Sequence, residues 1–146
     1  MRDANWWMDE LALDTERAWN DLCRHWASRS RPQRVTWRPR SDLVEGTDDF
    51  YLFVDLPGVR RDGLRIGVCG EVIGVEGHRE APRLASPARY LRKEIGVGPF
   101  GLAVRLPFAP DPRSLVAELS EGCLRVRVPK KHPATTESRT VIEVRL

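Results

Sequence analysis

The alternation of apolar and polar positions divides the chain into two unlike parts. Up to about residue 28 apolar side chains recur every three or four positions. From residue 37 onward they recur every second position, in short runs broken by Gly and Pro. The clearest alternating unit lies late in the chain. Leu115, Ala117 and Leu119 alternate with Val116 and Glu118, and Leu124, Val126 and Val128 alternate with Cys123, Arg125 and Arg127. A strand side chain changes face at every residue, so each run has one apolar and one solvated side. Ser120-Glu121-Gly122 between them supplies a turn, because Gly reaches positive φ without steric cost. The pattern predicts a β-hairpin that stops at Pro129, which has no N–H to give a ladder.

Further strands are predicted upstream. Residues 50–56 are apolar on both faces. Leu64, Ile66 and Val68 alternate with Arg65, Gly67 and Cys69; residues 72–76 and 100–106 complete the set, the last closed by Pro107. Pro57-Gly58 and Cys69-Gly70-Glu71 read as turns. Residues 78–89 read as a polar loop with Pro82 and Pro87, too long for a tight hairpin, and residues 90–95 as a short strand-like patch. Short runs with dense turn residues predict an all-β sandwich.

The first 28 residues read as a helix. Trp7, Leu11, Ala18 and Leu22 form one apolar stripe, and Trp19, Leu22 and Trp26 form a second that overlaps it. Four of the five tryptophans are here: Trp6, Trp7, Trp19 and Trp26. A helix this apolar on one side must bury that side, against its own domain or in an oligomer or aromatic contact surface. Arg29, Arg31 and Arg34 mark a basic linker around Pro32. At the other end a polar stretch with Pro133 and a Ser/Thr cluster reads as flexible, and Ile142, Val144 and Leu146 then alternate. That ending reads as a strand in search of an edge, in the same chain or another. Pairs Ile142/Val144 and Val144/Leu146 both fit the alternation. Three parts follow: residues 1–36 as arm and linker, 37–129 as the sandwich, and 130–146 as a C-terminal extension.

Composition adds exclusions. A chain of 146 residues is large enough for one buried core. The net charge of +3 comes from Arg interleaved with Asp and Glu, a mixed surface that favours solubility and does not by itself imply nucleic acid. Arg29 to Arg40 with Trp37 is the one stretch that suits phosphate and base stacking, and it runs through a linker. No apolar run has membrane-spanning length, and no signal sequence is predicted. Cys23, Cys69 and Cys123 are widely spaced, with no C-x-x-C, which suggests idle thiols in a reducing cytoplasm. No nucleophile elbow, phosphate loop or metal-binding spacing is found, so neither enzyme activity, cofactor nor metal is expected.

Several motifs fall into one order. Ala117-x4-Gly122-x-Leu124 resembles the signature of the small heat-shock proteins, the α-crystallin family. Trp37-Arg38-Pro39 with Asp42 is similar to the opening of that domain. Asp55-Leu56-Pro57-Gly58-Val59 with Leu64 and Ile66, and Val72 to Arg79, are similar to later landmarks. Arg105-Leu106-Pro107 resembles the stretch before the signature, and Ile142-Glu143-Val144 the C-terminal Ile-x-Ile/Val motif. Leu102 stands where the family usually has an Arg near the dimer interface; Cys123 and Gly74 are milder departures.

The resemblance, to the prokaryotic type, implies an immunoglobulin-like sandwich of seven or eight strands. It implies an ATP-independent holdase that binds non-native proteins, as a dynamic homo-oligomer of strand-swapped dimers. Tyr90, Leu91 and Arg92 would be the swapped piece. Ile142 and Val144 would dock in a groove whose walls match Leu64, Ile66 and Val68 on one side and Leu124 and Val126 on the other. The family pattern selects Ile142/Val144 as the docking pair. Trp6, Trp7, Trp19, Leu22 and Trp26 are the candidate contacts for clients or other subunits. Two other readings compete: a sandwich adaptor like the CS-domain cochaperones, which lack the C-terminal motif, and an Arg/Trp nucleic-acid binder.

Overall fold

The period-two runs become strands. A computed structural model describes residues 35–130 and 144–145, with the side chain of Arg145 outside that description. The described residues form β1 (Ser41–Glu45), β2 (Asp49–Asp55), β3 (Leu64–Cys69), β4 (Val72–Arg79), β5 (Gly98–Arg105), β6 (Val116–Ser120), β7 (Cys123–Pro129) and β8 (Val144–Arg145). Short 3-10 turns at Arg61–Gly63 and Pro112–Ser114 lead into β3 and β6. The arm, the linker through residue 34, and residues 131–143 lie outside the described residues, and so do the expectations that fall on them.

Two sheets stack with their apolar faces together. One runs β1-β2-β7-β6-β8 and the other β3-β4-β5. All pairings are antiparallel except that of β8 with β6. Leu52, Val54, Ala117, Leu124 and Val126 from the large sheet meet Ile66, Ile73, Val75, Phe100 and Leu102 from the small one in a single buried cluster. The all-β sandwich is thus as the alternation predicts. Leu102 explains itself in this frame: it pairs with Val75, faces the core and is 2% exposed, so an apolar side chain fits there.

The hairpin β6–β7 has a two-residue turn. Glu121 has φ 50° and Gly122 φ 76°, both left-handed, the geometry that matches the natural twist of paired strands. Gly122 is also wedged against the β2–β3 turn. Its carbonyl accepts a hydrogen bond from the Leu56 N–H at 2.7 Å, and a Cβ on Gly122 would stand 2.9 Å from the Pro57 Cα. The glycine therefore joins two turns as well as making one.

Three expectations differ from the structure. Residues 90–95 form no strand, and no residue of 80–97 joins a ladder. His78 lies within β4, one residue before its end at Arg79, and does not start the loop. Cys69 is not an idle thiol but is disulfide-bonded, whereas Cys123 is free and half-buried.

Candidate functional site

A two-layer sandwich has two open seams, one along each side where edge strands of the two sheets face each other. The chain closes one seam with its entry. Thr36 and Trp37 run beside β5, with the Thr36 N–H donating to the Pro99 carbonyl at 2.9 Å and Trp37 bridging Phe100 in parallel. The Trp37 indole packs on Phe100 with 5.0 Å between ring centroids, and its Nε1–H donates to the Gly98 carbonyl at 3.1 Å. From there the chain crosses to the large sheet as β1.

Arg79, at the end of β4, pins this corner. Its guanidinium lies 3.9 Å over the Trp37 ring, its Nε donates to the Gly96 carbonyl at 2.8 Å, and its Nη1 donates to the Pro57 carbonyl at 3.1 Å. Charge over an aromatic face and hydrogen bonds to two carbonyls act together. Gly96 has no room for more: a Cβ there would come within 2.5 Å of the Trp37 Cγ. Arg79 thus fixes where the 80–97 loop returns to the sandwich. Sequence reading placed it in a motif without this role, since its three partners are distant in the chain.

The loop itself presents apolar side chains to solvent. Leu84, Tyr90, Leu91 and Ile95 are all exposed, Leu91 at 87%. Arg92 pairs with Glu94 at 2.8 Å, and the Lys93 ammonium stands 5.7 Å from the Tyr90 ring. The outer edge of β1 is likewise unpaired among the described residues, with Leu43 and Val44 exposed.

The other seam lies between β6 and β3, the edge of the small sheet. Here β8 enters. Val144 lies opposite Ala117 and Arg145 opposite Glu118, in a parallel pairing with β6, while β8 also approaches β3. Val144 is 5% exposed and belongs to the same buried cluster as Leu64, Ile66, Val68, Ala117 and Leu119. The tail strand therefore sits in the seam of its own chain. Leu124 and Val126 lie one strand further in, on β7, which has β2 on one side and β6 on the other. A strand paired on both sides has no edge to offer; β6 does. The structure thus brings together Leu64, Ile66, Val68 and Val144 with Ala117 and Leu119, and leaves Leu124 and Val126 in the core behind them. Ile142, Trp6, Trp7, Trp19, Leu22 and Trp26 lie outside the described residues.

Among the described residues no cluster of three or more His, Cys, Asp or Glu side chains could hold a metal, and no helix is long and apolar enough to cross a membrane. Burial of Glu76 pushes its pKa above the ordinary 4.5, and the Arg65 guanidinium at 3.3 Å pulls partly the other way.

The architecture is that of an α-crystallin-type sandwich, with a chain-end strand in one seam. The chain belongs to the Hsp20/alpha crystallin family, whose pattern it matches over residues 42–145. It is 34% identical over 145 residues to a 19.0 kDa class II heat shock protein of Oryza sativa subsp. japonica, covering 94% of this chain and 81% of that one. Small heat shock protein C4 of Rickettsia felis is 29% identical over 93 residues, 64% of this chain and 57% of that protein, so the match spans little more than half of that relative. Among solved structures, hspA from Xanthomonas axonopodis superposes with a TM-score of 0.59 at 28% identity, over 66% of this chain and 97% of that one.

Proposed function

We propose that the protein is an ATP-independent holdase that keeps non-native proteins from aggregating, as a dynamic oligomer of strand-swapped dimers. Membership of the small heat-shock family supports a chaperone role. The observation that carries the finer reading is the pairing of two unsatisfied features. The 80–97 loop holds Tyr90, Leu91 and Ile95 in solvent, and among the described residues β1 has an open edge beside exposed Leu43 and Val44. A loop strand laid along the β1 edge of a second copy would supply hydrogen bonds to one and burial to the other. Tyr90, Leu91 and Arg92 are the residues for that exchange.

The tail supplies the dynamic part. Docking Val144 is worth on the order of 1.5–3 kcal/mol at most, less the cost of ordering the tail. A contact this weak opens often, and each opening bares the β6–β3 seam for another tail or for an extended client segment. Ile142 would dock beside Val144, and Trp6, Trp7, Trp19, Leu22 and Trp26 would add aromatic contact area for clients or subunits. No nucleotide enters, because capture rests on apolar surface. We place the protein in the cytoplasm.

Light scattering of a heat-denatured test protein, with and without this chain and with no ATP, tests the reading. Suppressed scattering near equimolar ratio is the expected result. Unchanged scattering would exclude a holdase and leave an adaptor role for the sandwich.

A further inference from the structure

The small sheet has a second face, turned away from the core. Cross-strand pairs place Arg65 beside Glu76, Gly67 beside Gly74 and Cys69 beside Val72, all on that outer side. β5 continues the face with Gly101 beside Glu76 and Ala103 beside Gly74. The middle of the face is thus a trough of Gly67, Gly74, Gly101 and Ala103, walled by an ion pair at one end and by Cys69 and Val72 at the other. The outer face of a two-layer sandwich ordinarily meets water and is polar. The centre of this one is shielded from water. Val72 is 3% exposed although it stands outside the cluster that forms the sandwich core. Gly67 and Gly74 are buried as well. The Arg65 Nη1 is buried with no hydrogen-bond partner, and burial raises the Glu76 pKa.

Two observations say what covers it. The chain comes into the described part on this very face: the Val35 Cγ2 lies 3.1 Å from where a Cβ of Gly101 would stand. Val35, the first described residue, thus stands at the trough. Cys69 is disulfide-bonded and Cys123 is free, and the chain has three cysteines, which leaves Cys23. In the sequence Trp19, Leu22, Cys23 and Trp26 fall at i, i+3, i+4 and i+7, one stripe of a helix. The residues between Cys23 and Val35 span up to roughly 40 Å when extended, far more than the roughly 10 Å from β5 across to β3.

We propose that the outer face of β3–β4–β5 is the docking site of the chain's own Trp19–Trp26 segment, seated in the Gly67/Gly74 trough and anchored by a Cys23–Cys69 disulfide. Glycines without Cβ atoms let an indole lie flat on the strand backbones. Reduction by a dithiol takes the bond to two thiols, the dithiol becoming a disulfide in turn. The arm is then held by apolar contact alone. In a reducing compartment the tryptophan stripe is therefore released more readily than in an oxidising one. The docking stands whether or not the protein is a holdase.

The test uses the full chain. Equal amounts of 14N- and 15N-labelled protein are reduced, mixed, reoxidised in air, digested without reductant, and mapped by mass spectrometry. A Cys23 peptide joined to a Cys69 peptide of the same isotope is expected. Mixed-isotope pairs would assign the face to a second copy, and a Cys69–Cys123 pair would remove the anchor; either overturns the proposal. In a second arm the reduced protein is labelled with a thiol reagent. Trp19→Ser with Trp26→Ser, changes outside the sandwich, should speed labelling of Cys69 about tenfold while that of Cys123 stays the same. Equal rates at Cys69 would overturn the docking even if the disulfide is found.

Discussion

The two edges of the large sheet have the same backbone chemistry and opposite fates. At one end β6 receives β8, and the buried Val144 closes the seam against β3. At the other end β1 pairs, among the described residues, with β2 alone, and Leu43 and Val44 on it are exposed. Both are short strands in the same sheet. What separates them is the supply of a partner within reach. The tail can return to β6, whereas the loop that could serve β1 is pinned at its base by Arg79 and turned outward. One edge is satisfied within the chain, and the other asks for a second molecule.

Gly122→Val should erase the comparison altogether. A β-branched residue at φ 76°, with its Cβ 2.9 Å from the Pro57 Cα, breaks the turn that creates the β6 edge. A loss of about 3 kcal/mol is expected in urea unfolding; a loss under about 1 kcal/mol would mean that the turn adapts.

Val144→Asp should make the satisfied edge resemble the open one. A carboxylate cannot sit among Leu64, Ile66 and Ala117, so β8 should leave, at a cost of about 1–2 kcal/mol. Amide exchange over β6 should accelerate while β1 stays as it was. Unchanged exchange in β6 would mean that the tail pairing contributes nothing in solution.

Val44→Lys tests the open edge. Val44 is already 46% exposed, so unfolding should shift by less than about 0.5 kcal/mol. Dimer dissociation, followed by analytical ultracentrifugation, should become about tenfold easier. Equal dissociation would move the dimer contact elsewhere.

Glu76→Gln is the smallest change and touches neither edge. Below pH 4.5 its carboxyl is protonated in both folded and unfolded chains. Above that value the unfolded group ionises first, while burial keeps the folded one protonated, so the wild type loses stability as pH rises from 4.5 through the folded pKa. The Gln variant should lack that slope in thermal melts taken across the window, and a slope equal to the wild type's would assign it to another group.

Strands β3 and β7 were legible because each has a clean period of two with one face in the core, as Ile66 with Val68 and Leu124 with Val126 declare. β2 was legible as a short apolar run around Leu52 and Val54, closed by the Pro57-Gly58 turn. Which strand is an edge was not legible. β6 and β7 alternate alike, and only the register of Leu52 with Val126 reveals that β7 is central and so closed to a new strand. Hence the docking wall was sought at Leu124 and Val126 instead of Ala117 and Leu119. The strand-like look of Tyr90 to Ile95 reflects local propensity, which forms no ladder without an edge opposite. Ser41–Glu45 went unnoticed as a strand because one chain leaves it exposed on nearly every residue. Arg79 was invisible as a clamp since Trp37, Pro57 and Gly96 meet it only in the fold.

The strand order also sets a timetable for the ribosome. The small sheet is made from consecutive strands and is complete once Arg105 has emerged. The large one is not, because Leu52 waits for Val126, which is made much later in the chain. Until then Ile66, Ile73 and Val75 lack most of the layer that later covers them. Non-local pairing of this kind closes slowly and leaves sticky surface bare in the meantime. A nascent copy of this protein thus passes through the very condition from which its mature form is proposed to shield others, and finished copies nearby are well placed to receive it.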